Sequence, residues 1–136
     1  MKEKFSKRVQ AIIKQSKEEA IELGHSYVGS EHILLGLLKI NSGKGKKILD
    51  IFNININEMI NSINTRIKTS GGTLNLGHLP LTRRAERILR NSYNEASIRG
   101  DSISDDIHLL LAMLKEPEGI ASRVLKSFSL DRSEEH

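Results

Sequence analysis

The stretch that decides the fold is residues 27–38, which read Tyr-Val-Gly-Ser-Glu-His-Ile-Leu-Leu-Gly-Leu-Leu. A related stretch, Ile-Ser-Asp-Asp-Ile-His-Leu-Leu-Leu-Ala-Met-Leu, occupies residues 103–114, so that His32 and His108 correspond when the numbering is shifted by 76. Each stretch opens with turn and cap residues and continues into a run that is apolar on most sides of a helix. Such a run is typical of a buried helix. The sequence therefore predicts two equivalent core helices.

The repeat extends well beyond these two helices. At the same shift, residues 5–55 align with residues 81–131 without a gap. The identical pairs include Arg8 and Arg84, Ser16 and Ser92, Glu19 and Glu95, Gly24 and Gly100, and Gly43 and Gly119. A period of this length, present only twice, indicates one duplicated domain and not a solenoid array. We predict an all-α fold in which two helical repeats, each a four-helix-type motif, are related by a pseudo-twofold axis and form one compact domain.

Cap and turn residues divide the first repeat into helices. Ser6 is a predicted N-cap, as is Thr82 at the matching position of the second repeat, and Gly24 ends the first helix because glycine tolerates positive φ. Ser30 is the predicted N-cap of the buried helix, residues 46–52 form a third helix, and Asn57 caps a fourth.

The two repeats are separated by a segment rich in turn residues. Repeat one is predicted over residues 5–67, the linker over 68–80 and repeat two over 81–136. The counterpart of the fourth helix would begin near Ser133, and the sequence stops at His136. We therefore expect about seven helices, followed by a truncated counterpart of the fourth helix and by more sequence downstream.

Composition limits the classes of function. The chain has 136 residues and no cysteine, which excludes disulfides and thiolate metal sites. No apolar run approaches the roughly 20 residues needed to span a bilayer, and no apolar leader is visible. We expect a cytoplasmic protein without a membrane partner. The net charge of +4 is spread along the helices, and the chain has no tryptophan, so a nucleic-acid partner is not expected either.

Enzyme motifs are missing from the sequence. Residues 43–47, Gly-Lys-Gly-Lys-Lys, lack the spacing of a phosphate loop, and neither a His-Glu-x-x-His nor a Gly-x-Ser-x-Gly pattern occurs. We predict no catalytic residue, no metal site and no cofactor in this chain. His32 and His108 are interpreted as structural histidines that form hydrogen bonds at a helix terminus. Glu19 and Glu95 are interpreted as surface charges.

A family resemblance rests on residues 18–25, Glu-Glu-Ala-Ile-Glu-Leu-Gly-His, followed by the stretch 27–38. Together they resemble the duplicated N-terminal domain of ClpC-type AAA+ unfoldases, whose hallmark is Gly-Thr/Ser-Glu-His-Ile-Leu-Leu-Gly-Leu after Leu-Gly-His. Residues 80–85, Pro-Leu-Thr-Arg-Arg-Ala, are also similar to that family. The resemblance implies a module that docks substrates and adaptor proteins. It also implies that ATP and magnesium belong to absent downstream modules, and that a Clp peptidase is a partner of the parent hexamer.

The resemblance further implies that phosphoarginine-tagged proteins bind, with the family's guanidinium-binding glutamate at Glu31. A carboxylate in the first turn of a helix is favoured by the helix dipole and can take a guanidinium through two parallel hydrogen bonds. Ser6, Lys7 and Arg8 begin the preceding helix and offer free amides and positive charge for a phosphate. With Ser30, these residues form the predicted site of repeat one.

The second repeat departs from this pattern, because Ile107 stands where Glu31 stands. An isoleucine cannot accept a hydrogen bond, so the second site is predicted to be degraded. Its residues are Thr82, Arg83, Arg84, Asp106 and Ile107. Asp106 could replace the glutamate only if the helix start shifted, since one residue is about 100° of helix rotation. Otherwise Asp106 is interpreted as an N-cap.

Two other hypotheses remain open. The domain could read exposed apolar segments or an adaptor through a groove between the repeats, as in a ClpB- or ClpA-like chaperone, and such binding would be insensitive to Glu31→Ala. A small helical nucleic-acid-binding domain is a different class of function, motivated by the isoelectric point of about 9.4. It would bind duplexes with an affinity that falls steeply with salt.

Overall fold

The computed structural model describes residues 4–40, 42–67 and 79–128, and these residues form seven α-helices with no strand beyond isolated bridges. The helices are α1 (Lys7–Glu22), α2 (Ser30–Ile40), α3 (Lys44–Ile51), α4 (Ile56–Arg66), α5 (Arg83–Ile98), α6 (Asp106–Lys115) and α7 (Ile120–Ser127). The all-α prediction is confirmed. None of these helices is long and apolar enough to cross a membrane. Most of the predicted linker, and the last predicted helix, lie outside the described residues.

The core is built around α2 and α6. Eight of the eleven residues of α2 and six of the ten residues of α6 are buried, as expected for central helices. Helix α1 packs on α2 and α5 packs on α6, whereas α7 contacts α2, α4 and α6. A single hydrophobic cluster contains Leu34 from repeat one together with Leu110 and Val124 from repeat two. The two repeats therefore share one core.

Helices α1 and α2 approach each other closely at Gly36. A Cβ atom at this position would lie 2.6 Å from the carbonyl oxygen of Ile12 and 3.1 Å from the amide nitrogen of Ser16. Because both are backbone atoms, they could not move aside without separating the helices. The corresponding residue of repeat two is Ala112, so the two helix pairs are not packed identically.

The predicted caps of the first helix in each repeat are confirmed. The Ser6 hydroxyl accepts a hydrogen bond from the amide of Val9, and the Thr82 hydroxyl accepts one from the amide of Ala85. The prediction for Ser30 is wrong by one residue. Ser30 is already helical, and the carbonyl of Gly29 accepts from the amide of His32 at 3.1 Å. The imidazole of His32 in turn accepts from the Gly29 amide, which replaces the hydroxyl cap.

The start of α4 also differs from the prediction. Asn55, not Asn57, is the N-cap, and its side chain accepts from the amide of Glu58 at 3.0 Å. The earlier start places buried Ile54 before the cap and buried Met59 four residues after it, the spacing of a hydrophobic staple. Both asparagines suit a cap, and burial of the apolar pair selects the first. Helix α3 likewise begins two residues before the predicted Lys46.

Glu19 and Glu95 are not surface charges. They are only 4% and 5% exposed. Glu19 accepts a hydrogen bond from Lys39 at 2.9 Å, and Glu95 accepts one from Lys115 at 2.7 Å. Burial acts to raise the pKa of Glu95, but its hydrogen bonds to Lys115 and Arg99 outweigh burial and lower the pKa. Each carboxylate therefore ties the first helix of its repeat to the second.

Short parallel backbone contacts join the two repeats. The amide of Thr82 donates to the carbonyl of Val28 at 2.9 Å, and the amide of Ser6 donates to the carbonyl of Ser104 at 2.8 Å. In each contact, the residue that precedes α5 or α1 lies next to the residues that precede the core helix of the other repeat. As a result, α5 begins beside the start of α2, and α1 begins beside the start of α6.

Candidate functional site

Two clefts lie where these helix starts meet. The first, here called the Glu31 cleft, has a volume of about 380 Å³ and is lined by Ser30, Glu31, Thr82, Arg83, Arg84 and Arg87. The second, here called the Ile107 cleft, has a volume of about 440 Å³ and is lined by Ser6, Lys44, Asp101, Ser102, Ile103, Asp105, Ile107 and His108. Each cleft takes one side from each repeat.

The structure therefore groups the predicted site residues differently from the sequence. Glu31 and Ser30 do not lie with Ser6 and Arg8. They lie instead with the start of α5, which belongs to the other repeat. Lys7 is exposed at the start of α1 and does not line the Ile107 cleft. The grouping by repeat is thus wrong, and the parallel backbone contacts are the physical reason. Whether these residues bind a ligand stays a prediction.

The carboxylate of Glu31 forms the acidic side of its cleft. Glu31 stands in the first turn of α2, and its side chain folds back over Gly29. A Cβ atom at Gly29 would lie 2.8 Å from Glu31 Oε1, so glycine leaves room for the carboxylate. Burial and the charge of Glu31 raise the pKa of Tyr27, which keeps that phenol protonated. Within the described residues, Glu31 has no ion-pair partner and remains available to a cation.

The cationic side of the Glu31 cleft is the start of α5. The amides of Arg83 and Arg84 are the first two of the helix, and neither has an acceptor in the described part of the chain. The next amide, that of Ala85, donates to the Thr82 hydroxyl. A helix start with free amides attracts anions. The guanidinium of Arg84 adds a full positive charge there, with its Nε atom 3.6 Å from a carboxylate oxygen of Glu116.

Sequence reasoning missed two residues of this region, Arg87 and Glu116. Arg87 donates from Nε and Nη2 to both carboxylate oxygens of Glu116, whose side chain is only 2% exposed. The hydrogen bonds and the charge of Glu116 raise the pKa of Arg87. Arg87 lies four residues after Arg83, so helical spacing could have placed it on the same face. Glu116 lies beyond α6, and no local pattern connects it to α5.

Asp105, which lines the Ile107 cleft, forms an internal guanidinium–carboxylate pair with Arg8. Asp105 is the N-cap of α6, and both its oxygens accept from Arg8 Nη1 at 3.0 Å. The Ser6 hydroxyl also donates to Asp105 at 2.8 Å. Burial acts to raise the pKa of Asp105, but the hydrogen bonds from Ser6, the amide of Asp106 and Arg8 outweigh it and lower the pKa. Arg8 is thus already engaged by the protein itself.

Asp106 takes neither of the roles considered for it. It is the first helical residue of α6, not its cap, and it is 1% exposed. Its Oδ2 atom accepts from the amide of Gly45 at 2.7 Å, which directs the carboxylate toward α3. Burial is the main cause that raises the pKa of Asp106. The side chain is therefore used inside the protein, and Ile107 is left at the position of the missing glutamate.

Comparison with known proteins identifies the family. Residues 4–128 match the family described as the Clp repeat (R) N-terminal domain. The chain belongs to this Clp N-terminal domain family. It is 38% identical over 133 residues to the chloroplastic chaperone protein ClpC2 of Oryza sativa subsp. japonica. That alignment covers 98% of this chain and 14% of the relative, so the chain spans about one seventh of the relative's length.

Solved structures of Clp N-terminal domains share the fold. The N-terminal domain of ClpD from Arabidopsis thaliana aligns with a TM-score of 0.71 and 20% identity, over 91% of this chain and 86% of that one. The N-terminal domain of Hsp104 from Candida albicans aligns with a TM-score of 0.75 and 17% identity, over 93% and 82% of the two chains. The resemblance seen in the sequence is confirmed. The name of the rice relative places it in the chloroplast, so the cytoplasmic location stays a prediction.

The paired histidines of this Clp N-terminal domain hold the starts of the core helices. His32 Nδ1 accepts from the amide of Gly29, and His108 Nδ1 accepts from the amide of Asp105. The His32 Nε2 atom lies 2.8 Å from Nδ1 of His25. Burial, and then the charge of His25, lowers the pKa of His32 to about 4. Both histidines form the hydrogen bonds at a helix terminus that the sequence predicted.

Proposed function

We propose that this Clp N-terminal domain docks substrates and adaptor proteins for a ClpC-like, ATP-dependent unfoldase, and that the Glu31 cleft binds phosphoarginine on tagged substrates. The observation that carries the proposal is the meeting of Glu31 with the free amides and arginines of α5 in one cleft. In this proposal the domain acts by binding alone. ATP, magnesium and the Clp peptidase would belong to the rest of the parent protein and its hexamer.

The chemistry of the ligand matches the two sides of the cleft. Phosphoarginine carries a guanidinium and a phosphoryl group on one side chain. A carboxylate such as Glu31 takes a guanidinium through two parallel, charge-assisted hydrogen bonds. Helix amides and guanidinium forks such as that of Arg84 are the groups that recognise a phosphoryl group. Free arginine or inorganic phosphate would satisfy only one side of the cleft, so each should bind more weakly.

A calorimetric titration of phosphoarginine into the 136-residue chain tests the proposal. We expect one binding event, weakened at least about tenfold by Glu31→Ala, because a hydrogen bond to a charged group contributes about 1.5–3 kcal/mol. Glu58→Ala is the matched control, since Glu58 is an exposed carboxylate in the first turn of α4. Equal affinity in wild type and Glu31→Ala would overturn the assignment of the ligand.

An apolar groove between the repeats supports the second candidate function. A cleft of about 200 Å³ is lined by Phe5, Leu81, Glu86, Leu89 and Arg90. Phe5 and Leu81 are equivalent residues of the two repeats, so this groove lies between the two copies. An apolar segment of a substrate or an adaptor would suit such a groove. Binding of an unfolded protein, for example casein, that is lost in Leu81→Asp and kept in Glu31→Ala would favour this second function.

A further inference from the structure

Equivalent arginines in the two repeats have different partners. Arg8, in the first turn of α1, is engaged through Nη1 by both oxygens of Asp105, which caps α6 and lines the Ile107 cleft. In the Glu31 cleft the residue at the cap position is Gly29, which has no carboxylate. Arg84, the counterpart of Arg8, is therefore not bound at its terminal nitrogens by a helix cap. Within the described residues, neither Nη1 nor Nη2 of Arg84 has an acceptor.

The buried carboxylate of Glu116 lies beside the Nε atom of Arg84 and not beside its terminal nitrogens. Glu116 is 2% exposed, and one of its oxygens lies 3.6 Å from Arg84 Nε, the nitrogen nearest the main chain of that residue. Nε is buried and lacks a hydrogen bond of good geometry. Gly119 makes room for this arrangement, because a Cβ atom there would lie 2.7 Å from Arg84 Cδ. Glu116 thus lies beside the stem of Arg84 as an ion-pair partner, and the terminal nitrogens of Arg84 have no acceptor in the described residues.

The same carboxylate holds Arg87. Nε and Nη2 of Arg87 donate to Glu116, which leaves Nη1 without an acceptor in the described part of the structure. Neither Glu116 nor Arg87 has an equivalent of the same residue type in repeat one. The repeat equivalent of Glu116 is Ile40, and that of Arg87 is Ala11. The arrangement of one buried acid and two arginines is therefore specific to the Glu31 cleft.

We propose that Glu116 is a positioning residue that orients Arg84 and Arg87 so that their unbound nitrogens receive the phosphoryl group of the ligand. The inference rests on the proposed function and deepens it. Two guanidinium groups held by one carboxylate are pre-organised, so less conformational freedom is lost when the ligand binds. Glu116 does not touch the ligand, and it acts through the two arginines.

Removal of the Glu116 charge has two opposing effects on phosphate binding. A neutral side chain makes the cleft more positive, which attracts an anion. Because the side chains of Arg84 and Arg87 are 38% and 46% exposed, solvent screens most of that gain. The loss of orientation is not screened. We therefore expect the affinity for phosphoarginine to fall by about tenfold in Glu116→Gln.

The experiment compares Glu116→Gln with Glu118→Gln, which removes an exposed charge from the same segment. Phosphoarginine is titrated into each variant by calorimetry, and a double-mutant cycle with Arg87→Ala supplies the second readout. If Glu116 acts through Arg87, the double variant should bind about as weakly as Arg87→Ala alone. Glu118→Gln should bind within twofold of wild type. Fully additive losses in the cycle would contradict a positioning role.

The outcomes separate this inference from the proposed function. If wild type does not bind phosphoarginine, the proposed function fails first. If wild type binds through Glu31 while Glu116→Gln stays within twofold of wild type, only the positioning role is overturned. Circular dichroism and urea denaturation check the fold of each variant. Should Glu116→Gln fail to fold, Arg87→Ala decides, because Arg87 is half-exposed and unchanged affinity in that variant would exclude the arrangement.

Discussion

Acid should destabilise this domain through His32. The side chain is fully buried, and its Nδ1 atom accepts from the amide of Gly29, so the neutral ring is part of the fold. Protonation of Nδ1 would replace that acceptor with a donor facing another donor. The second ring nitrogen lies against His25, whose positive charge would oppose a charge on His32. The folded state therefore resists taking up the proton, and the pKa of His32 falls from an ordinary 6.5 to about 4.

The size of the effect follows from this difference in pKa. In the unfolded chain His32 binds a proton below about pH 6.5, whereas in the folded chain it does so only below about pH 4. Stability is therefore lost as the pH falls through this window. The free energy of unfolding should drop by about 2 kcal/mol at pH 5 and about 3 kcal/mol at pH 4, relative to pH 7.

Urea denaturation at several pH values between 7 and 4.5 measures this loss. Asp106 titrates with a raised pKa and acts in the opposite direction, so the test is the difference between wild type and His32→Asn at each pH. That variant keeps a neutral acceptor near the Gly29 amide and should have a shallower pH dependence. His108→Asn is the matched control in repeat two and should keep the steep dependence of wild type. Parallel curves for wild type and His32→Asn would refute the reasoning.

Two further predictions concern the differences between the repeats. Gly36→Ala should destabilise the domain by about 1–3 kcal/mol in urea denaturation, because the new methyl group meets the backbone of α1. Ala112→Gly, the reverse change in repeat two, should cost only about 1 kcal/mol, and a larger loss there would contradict the packing argument. Ile107→Glu alone should not add a second phosphoarginine site, because Asp105 still binds Arg8. The double variant Ile107→Glu/Asp105→Gly should raise the calorimetric stoichiometry of phosphoarginine from one to two per chain. A stoichiometry of two with Ile107→Glu alone would show that the Arg8–Asp105 pair does not prevent binding.

The helices and the core follow from local patterns in the sequence. The apolar run after Ser30 has helical periodicity, and the hydroxyls of Ser6 and Thr82 act within three residues of their own positions. Such signals need no knowledge of tertiary structure. The start of α4 shows their limit, because Asn55 and Asn57 are equally good caps. Only burial of the neighbouring apolar side chains distinguishes them.

The composition of the clefts did not follow from the sequence, because it depends on contacts between distant backbone groups. The hydrogen bond from the Thr82 amide to the Val28 carbonyl places α5 beside Glu31. Almost any residue can form a backbone hydrogen bond of this kind, so no side-chain pattern marks it. Alignment of the repeats shows which residues are equivalent. It does not show which of them meet in space.

The buried ion pairs, in contrast, did leave a signal in the alignment. Glu19 and Lys39 recur as Glu95 and Lys115, so both members of each pair are the same in the two repeats, as expected of a scaffold contact. A surface charge would have no reason to recur together with its partner. Glu116 is also a buried acid, but it does not recur, because the equivalent residue of repeat one is Ile40. Positions such as those of the recurring pairs, at which the repeats agree, build the shared framework, whereas Glu31 of one cleft corresponds to Ile107 of the other. An isoleucine cannot accept a hydrogen bond, so we expect phosphoarginine to bind in the Glu31 cleft and not in the Ile107 cleft.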